Sequence, residues 1–437
     1  MNIFRGIFIV ASVVLLCPLH KARSQPYTWT TIAGSPQQIG FADGTNSETR
    51  FGHFLAIAAD KNGDVFVGDT QNRVLRKVTH IGADWVVTTL VGGGIPSDAG
   101  ADGTNRNAVL DPCGIALDQA GNLFIADGND NAIRKITTVG TNWIVTTIAG
   151  VLGANGASDG TNDQARFYLP TGIAIDSNTN LYVADLLDQT IRKLTPEGTN
   201  WVVTTIAGLA GNIGSADGTN SNARFNNPYN VAVDSSGNVY VADTYNATVR
   251  KIVPIGTNWV VTTIAGKAGV FAHVDGFGED ARFCGIGGIS VDRAGRLYVA
   301  ESCNYTIRKL TPVGTNWLVT TLGGLPGVSG TQDGTGSSAR FYPWNVTVDD
   351  TGVLYVADEW NYTVRRGEIA MYLRTARAAN QFILSWPNSA TNLVLETTRE
   401  LTSPWTPLTN GIGTFADDLV ITNSTEAGAA FFRLRKL

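Results

Sequence analysis

The chain has 437 residues, of which 49 are glycine and only 2 are methionine, and its formal net charge at pH 7 is -5. A chain of this length exceeds one ordinary hydrophobic core, so we expect several domains or a repeat array. The acidic balance argues against a nucleic acid or an anionic membrane surface as the partner, because both attract basic proteins.

The N-terminus has the pattern of a signal peptide. Arg5 precedes an apolar stretch at residues 7–16, and residues 22–24 (Ala-Arg-Ser) place small side chains at the two positions that a signal peptidase reads. We therefore predict a leader over residues 1–24 and a mature protein that is secreted or periplasmic. No segment of the chain reaches about 20 uninterrupted apolar residues, so membrane insertion is not expected.

A fixed period dominates the middle of the chain. Asp-Gly pairs recur every 57 to 59 residues, at Asp43, Asp102, Asp159, Asp217, Asp275 and Asp333. Each pair is followed by an apolar run, a hairpin turn and a second strand that ends in an acid, at Asp69, Asp127, Asp185, Asp243, Glu301 and Asp358. A third strand carries an arginine, at Arg76, Arg134, Arg192, Arg250, Arg308 and Arg365. A fourth is a near-identical run such as residues 201–208 (Trp-Val-Val-Thr-Thr-Ile-Ala-Gly). Four short strands per repeat, none able to bury its faces alone, predict the blades of an all-β propeller.

The two ends of the array complement each other. The sixth repeat stops after Arg366 without its fourth strand, whereas residues 27–34 are an unattached copy of that strand near the other terminus. Pairing the two closes a ring and removes exposed sheet edges. Because a linear solenoid does not need complementary halves, the ends predict a circle of six blades.

One repeat carries the resemblance to a known family most clearly. Residues 225–234 (Phe-Asn-Asn-Pro-Tyr-Asn-Val-Ala-Val-Asp) and 237–243 (Gly-Asn-Val-Tyr-Val-Ala-Asp), followed by Asn246 and Arg250, resemble the NHL repeat. The resemblance covers about residues 26–366 and implies a six-bladed β-propeller of the secreted bacterial type. That family includes enzymes, such as the amidating lyase of peptide hormones, and many more binding scaffolds, so it implies a fold rather than a function.

The repeats give the domain boundaries. We place the propeller at residues 25–366 and a small C-terminal β-sandwich-like domain at residues 367–437, where the period breaks. Strands are predicted in this second segment at residues 381–386, 393–398, 418–421 and 431–437. A domain of this size has little core of its own, so we expect it to dock on blade six or on a partner.

When the six repeats are aligned, some positions carry the same residue type in every repeat, and we assign these positions to construction of the blade. The strand-end acids and the arginines occur six times, as does an Asn or Asp three residues after each acid, whereas a ring has one central site. Asx turns and Asp–Arg pairs within or between blades explain these positions. The Asp-Gly-Thr-Asn loops lack the dense carboxylate spacing of a calcium-binding loop, so we assign them to turn chemistry.

Aligned positions at which the repeats differ are the better guide to a binding site. Antiparallel geometry places the start of the innermost strand and the loop between the second and third strands on one face, which we call the mouth. Aromatic residues crowd one half of the mouth, at Tyr229, Tyr245, Tyr305, Trp344, Trp360 and Tyr362. Tyr and Trp offer large amphipathic area at low entropic cost, so we predict a non-enzymatic binding scaffold for a glycan, a peptide or a protein. The competing explanation is that these rings pack against one another or against the C-terminal domain.

A metal-dependent hydrolase or lyase is the alternative. The three histidines outside the leader fall in different structural contexts, so no zinc site of the kind used by the lyase relatives is visible. A calcium site of the lactonase-propeller kind would draw on Asn230, Glu301 and Asn345 at the mouth. Outside this alternative we expect no cofactor. A third possibility is an architectural module that binds through its C-terminal domain alone.

The cysteines fit an exported protein. Cys284 precedes the innermost strand of the fifth repeat and Cys303 follows its second strand, so both lie on the same face of adjacent strands. A disulfide between them is geometrically reasonable, and we carry it as a prediction. Cys113 is then unpaired, and we expect a small core residue there because no histidine is placed to activate its thiol.

Overall fold

The computed structural model of this chain describes residues 26–93, 100–370, 374–378, 381–387, 393–398, 404, 406–408, 412–415, 418–424 and 431–436. The predicted leader at residues 1–24 lies outside the described residues. Within the part of the chain that is described, we find no helix long and apolar enough to cross a membrane.

Six antiparallel sheets of five strands each form the blades of a propeller. The innermost strands, which contact one another in cyclic order around the ring, are Ala56–Ala59, Pro112–Leu117, Pro170–Ile175, Pro228–Val233, Ile286–Val291 and Asn345–Val348. The second strands are Val65–Asp69, Leu123–Asp127, Leu181–Asp185, Val239–Asp243, Leu297–Glu301 and Leu354–Asp358. The third strands are Val74–Ile81, Ala132–Val139, Thr190–Glu197, Thr248–Ile255, Thr306–Val313 and Thr363–Ile369.

The outer part of each blade has one strand more than the sequence predicts. The fourth strands are Asp84–Gly92, Asn142–Gly150, Asn200–Gly208, Asn258–Gly266, Asn316–Gly323 and, for blade six, Tyr27–Ala33. The unpredicted fifth strands are Gly44–Thr45, Gly103–Thr104, Gly160–Thr161, Gly218–Thr219, Gly276–Phe277 and Gly334–Thr335. Short 3₁₀ turns occupy Asn46–Glu48, Asn105–Asn107, Asn162–Gln164, Asn220–Asn222, Thr244–Asn246, Gly278–Asp280, Gly336–Ser338 and Glu359–Asn361.

Blade four shows why this sequence forms strands and tight turns. The strand Val239–Asp243 is buried along its whole length because neighbouring blades cover both of its faces, and its Val and Tyr residues favour the extended conformation. Asp234 ends the preceding strand, and its Oδ1 accepts the backbone N–H groups of Ser236 and Asn238 at 2.9 and 3.0 Å. The predicted hairpin is therefore an Asx-type turn held by its own aspartate.

The hydrophobic core is divided among the junctions between blades. Six clusters of buried side chains each join two neighbouring blades. One of them combines Ile32 and Tyr355 of blade six with Phe51 of blade one, so the first and last blades pack like any other pair. Because a blade buries its faces only against its neighbours, the ring is the unit of stability.

The ring is closed by the N-terminal strand, as predicted. Tyr27–Ala33 pairs antiparallel with Thr363–Ile369, with Thr28 opposite Glu368 and Trp29 opposite Gly367. Closure in this way leaves blade six with the same five strands as the other blades.

The recurring acids and arginines build the blades, as predicted. In blade four, Arg250 is fully buried and donates to Asp243 and to Asp217, both at 2.7 Å. Its guanidinium also lies over the ring of Phe225, 5.2 Å from the ring centroid. The equivalent arginines of the other five blades are buried between the same two acids. Each arginine ties the second strand to the Asp-Gly loop, which explains why the pattern occurs in every repeat.

The C-terminal segment contains two small antiparallel sheets. One sheet is formed by Arg374–Ala378, Gln381–Pro387, Ile412–Phe415 and Asp418–Ser424, and the other by Leu393–Thr398, Thr406–Pro407 and Phe431–Lys436. The four predicted strands are present, and three more were not predicted. Leu384, Trp386, Leu395 and Ile421 form a small core of their own.

Candidate functional site

Two aromatic side chains from alternate blades meet at the centre of the mouth. Tyr229 of blade four and Trp344 of blade six pack edge to face, with ring centroids 4.9 Å apart and ring planes at 84°. Blade five lies between them in the ring and contributes Gly287, where a side chain would collide with the backbone of Trp344. The absence of that side chain lets Trp344 reach across blade five. These two predicted contact residues therefore pack on each other and form the floor of the mouth.

The Tyr229 hydroxyl and the Cys113 thiol at this floor stay in their neutral forms. Burial raises the pKa of the Tyr229 hydroxyl, and the neighbouring Cys113 raises it further. Cys113 is 4% exposed, and burial raises the pKa of its thiol well above the ordinary value. A thiol that stays protonated is a poor nucleophile. Cys113 thus has the surroundings expected of a small core residue.

A continuous set of rings lies beside the floor, and we call it the rim cluster: His53, Tyr305, Tyr342, Trp360 and Tyr362. Ring centroids are 4.9 Å apart for Tyr305 and Tyr342, and 5.7 Å apart for Tyr342 and Trp360. The imidazole of His53 lies 4.5 Å from Trp360 and 5.3 Å from Tyr362. Trp360 remains 48% exposed, so the cluster presents a large aromatic face to solvent.

The loops that carry the rim cluster share a left-handed backbone position with the loops of the other blades. Tyr305 and Tyr362 have φ angles of 59° and 57°, and the equivalent residues Arg73, Asn131, Gln189 and Ala247 have φ angles of 53° to 58°. In blade six, the turn Glu359–Asn361 precedes Tyr362, and the amide of Asn361 donates to Asp358 at 2.9 Å and to the backbone oxygen of Gly330 at 2.7 Å. The loop is therefore fixed from below, and its aromatic side chains are held in place rather than free to collapse.

A buried carboxyl group lies under these rings. Glu359 is 6% exposed, and its Oε1 is 3.2 Å from Nδ1 of His53 across the junction of blades six and one. On the other side of the imidazole, the Tyr362 hydroxyl is 3.5 Å from Nε2. Burial raises the pKa of Glu359 to about 7 and lowers the pKa of His53. Glu359 therefore changes charge near neutral pH, whereas burial favours the neutral form of the imidazole, so that at higher pH a neutral imidazole faces a carboxylate.

The structure brings together some of the six predicted contact residues and separates others. Tyr305, Trp360 and Tyr362 belong to the rim cluster, whereas Tyr229 and Trp344 form the floor. Tyr245 stands on the loop of blade four and is 59% exposed.

Three residues of the site were missed from the sequence: His53, Tyr342 and Glu359. A signal for Glu359 exists in the repeat alignment, because it is the only acid among the residues that follow the strand-end acids, namely Thr70, Gly128, Leu186, Thr244, Ser302 and Glu359. His53 and Tyr342 come from loops of different length in blades one and six. Only the folded ring shows that they meet.

The residues of the calcium alternative are engaged in other contacts. Asn230 Oδ1 accepts the backbone N–H of Val231 at 2.7 Å, and the Asn345 amide donates to the backbone oxygen of Leu55 at 3.0 Å. Glu301 is fully buried, and its carboxylate accepts from Arg308 at 2.7 Å. Among the described residues, no group of three or more His, Cys, Asp or Glu side chains is placed to hold a metal ion.

The two cysteines of blade five are neighbours in the structure. Cys284 and Cys303 are free thiols, and burial together with the hydrogen bond to Cys303 raises the pKa of Cys284 to about 12. The two thiols lie within hydrogen-bonding reach of each other. The pairing stays a prediction.

Comparison with known proteins agrees with the repeat analysis. The family model of the NHL repeat matches residues 225–252. The chain is 26% identical over 291 residues to Protein SUPPRESSOR OF QUENCHING 1, chloroplastic, of Arabidopsis thaliana, which covers 63% of this chain and 26% of that protein. It is 25% identical over 312 residues to NHL repeat-containing protein 2 of Gallus gallus, which covers 63% of this chain and 41% of that protein. The chain thus spans less than half the length of these two relatives.

A solved structure shares the architecture. An auxiliary nutrient binding protein from Bacteroides ovatus ATCC 8483 matches with a TM-score of 0.57 and 17% identity, covering 78% of this chain and 76% of that chain. Similarity at this level of identity shows the fold alone. The chain carries an NHL repeat at residues 225–252 and folds as a six-bladed β-propeller.

Proposed function

We propose that this protein is an extracytoplasmic, non-enzymatic scaffold that binds a glycan, a peptide or a protein at the mouth of the propeller. The rim cluster is the observation that supports this proposal most directly. Five adjoining rings lie together at the mouth, one of them is 48% exposed, and hydrogen bonds of Asn361 fix the loop that carries Trp360 and Tyr362. Exposed aromatic residues on a rigid base are typical of binding surfaces, where they supply most of the free energy of association.

The remainder of the mouth supports a binding role as well. The packed pair of Tyr229 and Trp344 gives a ligand two further aromatic rings to contact. Tyr245, at 59% exposure on blade four, extends the aromatic surface beyond the rim cluster. The auxiliary nutrient binding protein with the same fold is a precedent for ligand binding by a propeller of this kind. Export is supported by the leader pattern at residues 1–24.

The proposal is tested with substitutions that remove exposed rings. We expect Trp360→Ala combined with Tyr305→Ala to weaken every ligand found in a glycan and peptide array by at least tenfold, which is about 1.4 kcal/mol. Ile255→Ala is the matched control, because Ile255 is 58% exposed on the opposite face. Dissociation constants are measured by calorimetry after circular dichroism has verified folding. Ligand binding that survives the double substitution unchanged would sink the proposal.

A further inference from the structure

Glu359 differs from the six strand-end acids, because no arginine or lysine of the described residues pairs with its carboxyl group. Each of the six strand-end acids is paired with a buried arginine. The carboxyl group of Glu359 has a single hydrogen-bond partner among the described residues, the imidazole of His53. A buried carboxylate without a cation is costly, and that cost is removed when a cation arrives.

The imidazole beside this carboxyl group is packed among aromatic rings. Trp360 and Tyr362 contact the same imidazole that Glu359 does, and Tyr342 contacts Trp360. The faces of such rings attract positive charge through their quadrupoles, most strongly when the cation is an ammonium group that sheds its water. Carboxylate and aromatic faces both favour a cation, so the two features reinforce each other.

The remaining charged and titratable groups near Glu359 do not oppose a cation. Tyr229 and Tyr342 face it, and burial raises the pKa of both, so their hydroxyl groups stay neutral. Asp111 also acts on Tyr229 and adds negative charge on that side of the mouth. Arg365, in the same blade, is buried between Asp358 and Asp333.

We propose that the ligand carries an ammonium group, which binds between the Glu359 carboxylate and the ring faces of Trp360, Tyr342 and Tyr362. This inference rests on the proposed function, because it uses the same mouth. The ammonium group is recognised by charge and by aromatic contact together, whereas an uncharged sugar or apolar side chain would use the rings alone. His53 fixes the carboxyl group in position through Oε1.

The inference predicts a dependence on charge that a small pair of probes can measure. Choline carries a quaternary ammonium group, and 3,3-dimethyl-1-butanol has the same shape without the charge. We expect choline to bind the wild-type protein at pH 8 roughly tenfold more tightly than its neutral isostere, as measured by calorimetry. Choline should bind less tightly at pH 6, because Glu359 is then protonated.

Two substitutions separate the carboxylate from the rings. Glu359→Gln should remove the preference for choline and its dependence on pH, while Trp360→Ala should weaken both probes. Glu197→Gln is the matched control, since Glu197 is an exposed acid at the end of a third strand, on the opposite face. Thermal unfolding verifies that each variant is folded.

Two results would overturn the inference. One is equal affinity of the wild-type protein for choline and the neutral isostere, and the other is no binding of choline at millimolar concentration. If array ligands still depend on Trp360 and Tyr305 in either case, the proposed function stands and only the ammonium group is wrong. If the array ligands do not depend on those rings, the proposed function fails independently of the choline result.

Discussion

Trp29 of the N-terminal strand lies directly opposite Gly367 in the sheet of blade six. In the other five blades the equivalent cross-strand pair consists of two branched aliphatic residues, such as Val261 opposite Ile252. A side chain at Gly367 would collide with the indole ring, which is fully buried. At the junction that closes the ring, a large side chain at residue 29 and a glycine at residue 367 thus take the place of two aliphatic side chains of medium size. The indole ring covers the glycine.

This pairing predicts a strong coupling between the two positions. Trp29→Val alone leaves a cavity and should reduce the free energy of unfolding by about 2–4 kcal/mol. Gly367→Ile alone should reduce it by about 1–3 kcal/mol or more, because the new side chain overlaps Trp29. The double variant reproduces the pair of the other blades. We therefore expect its loss of unfolding free energy to be smaller, by at least about 2 kcal/mol, than the sum of the losses of the two single variants. Urea denaturation of the four proteins checks this, and additive effects would contradict it.

A second prediction concerns Asp188 of blade three, which stands where four other blades have asparagine. In blade four, Asn246 donates to the strand-end Asp243 and to a backbone oxygen, both at 2.8 Å. Asp188 places a carboxyl group beside Asp185 instead, and its Oδ2 is buried without a hydrogen-bond partner in the described structure. Burial, reinforced by the charge of Asp188, raises the pKa of Asp185 to about 8.

The folded protein therefore holds a proton here that the unfolded chain releases above about pH 4. Stability contributed by this site is present at low pH and is lost as the pH rises towards 8. Asp188→Asn supplies the missing donor, so we expect stabilisation by about 1–2 kcal/mol at pH 8 and by less at pH 5. Thermal unfolding at the two pH values measures the difference, and destabilisation at pH 8 would count against this account.

The buried arginines should matter far more than the exposed ones. Arg250→Ala leaves Asp243 buried without its cation and should cost about 3–5 kcal/mol of unfolding free energy. Arg293→Ala serves as the comparison, because Arg293 pairs with Asp350 at 2.5 Å but its side chain is 77% exposed. Exposed ion pairs contribute about 0–1 kcal/mol, so this variant should unfold close to the wild type. Similar losses from both substitutions, measured by urea denaturation, would contradict the assignment.

The cysteines of blade five should react differently from Cys113. Under oxidising conditions we expect Cys284 and Cys303 to form a disulfide, which intact-mass spectrometry after alkylation detects as one unlabelled pair. Formation should be slow at neutral pH without a catalyst, because burial and the neighbouring thiol raise the pKa of Cys284 to about 12. Cys113 is 4% exposed and should accept alkylating reagent only after denaturation. Labelling of Cys284 in the oxidised protein would rule the pairing out.

The sequence by itself was sufficient to predict the architecture, because the same pattern of strands, acids and arginines occurs in all six repeats. A strand-end acid and an arginine seven residues later can only be a structural pair when every blade has them, as Asp243 and Arg250 show. The N-terminal copy of the fourth strand likewise predicts ring closure, since an unpaired edge would be left exposed without it. The two-residue fifth strand escaped prediction because two residues are too few to show the alternation of a strand, so the recurring Asp-Gly loops were assigned to turns.

The aromatic half of the mouth was also visible in the sequence, but the division of its residues into a floor and a rim cluster was not. Tyr229 and Trp344 are 115 residues apart in number and two blades apart in the ring, and they meet only because blade five offers Gly287 between them. His53 and Glu359 belong to the first and last blades, which closure makes neighbours. Local patterns determine strands and turns, because those depend on residues close in the chain. Contacts between blades depend on side-chain volume and loop length at distant positions, so only the tertiary structure decided which residues form the floor, the rim cluster and the buried carboxyl group beneath it.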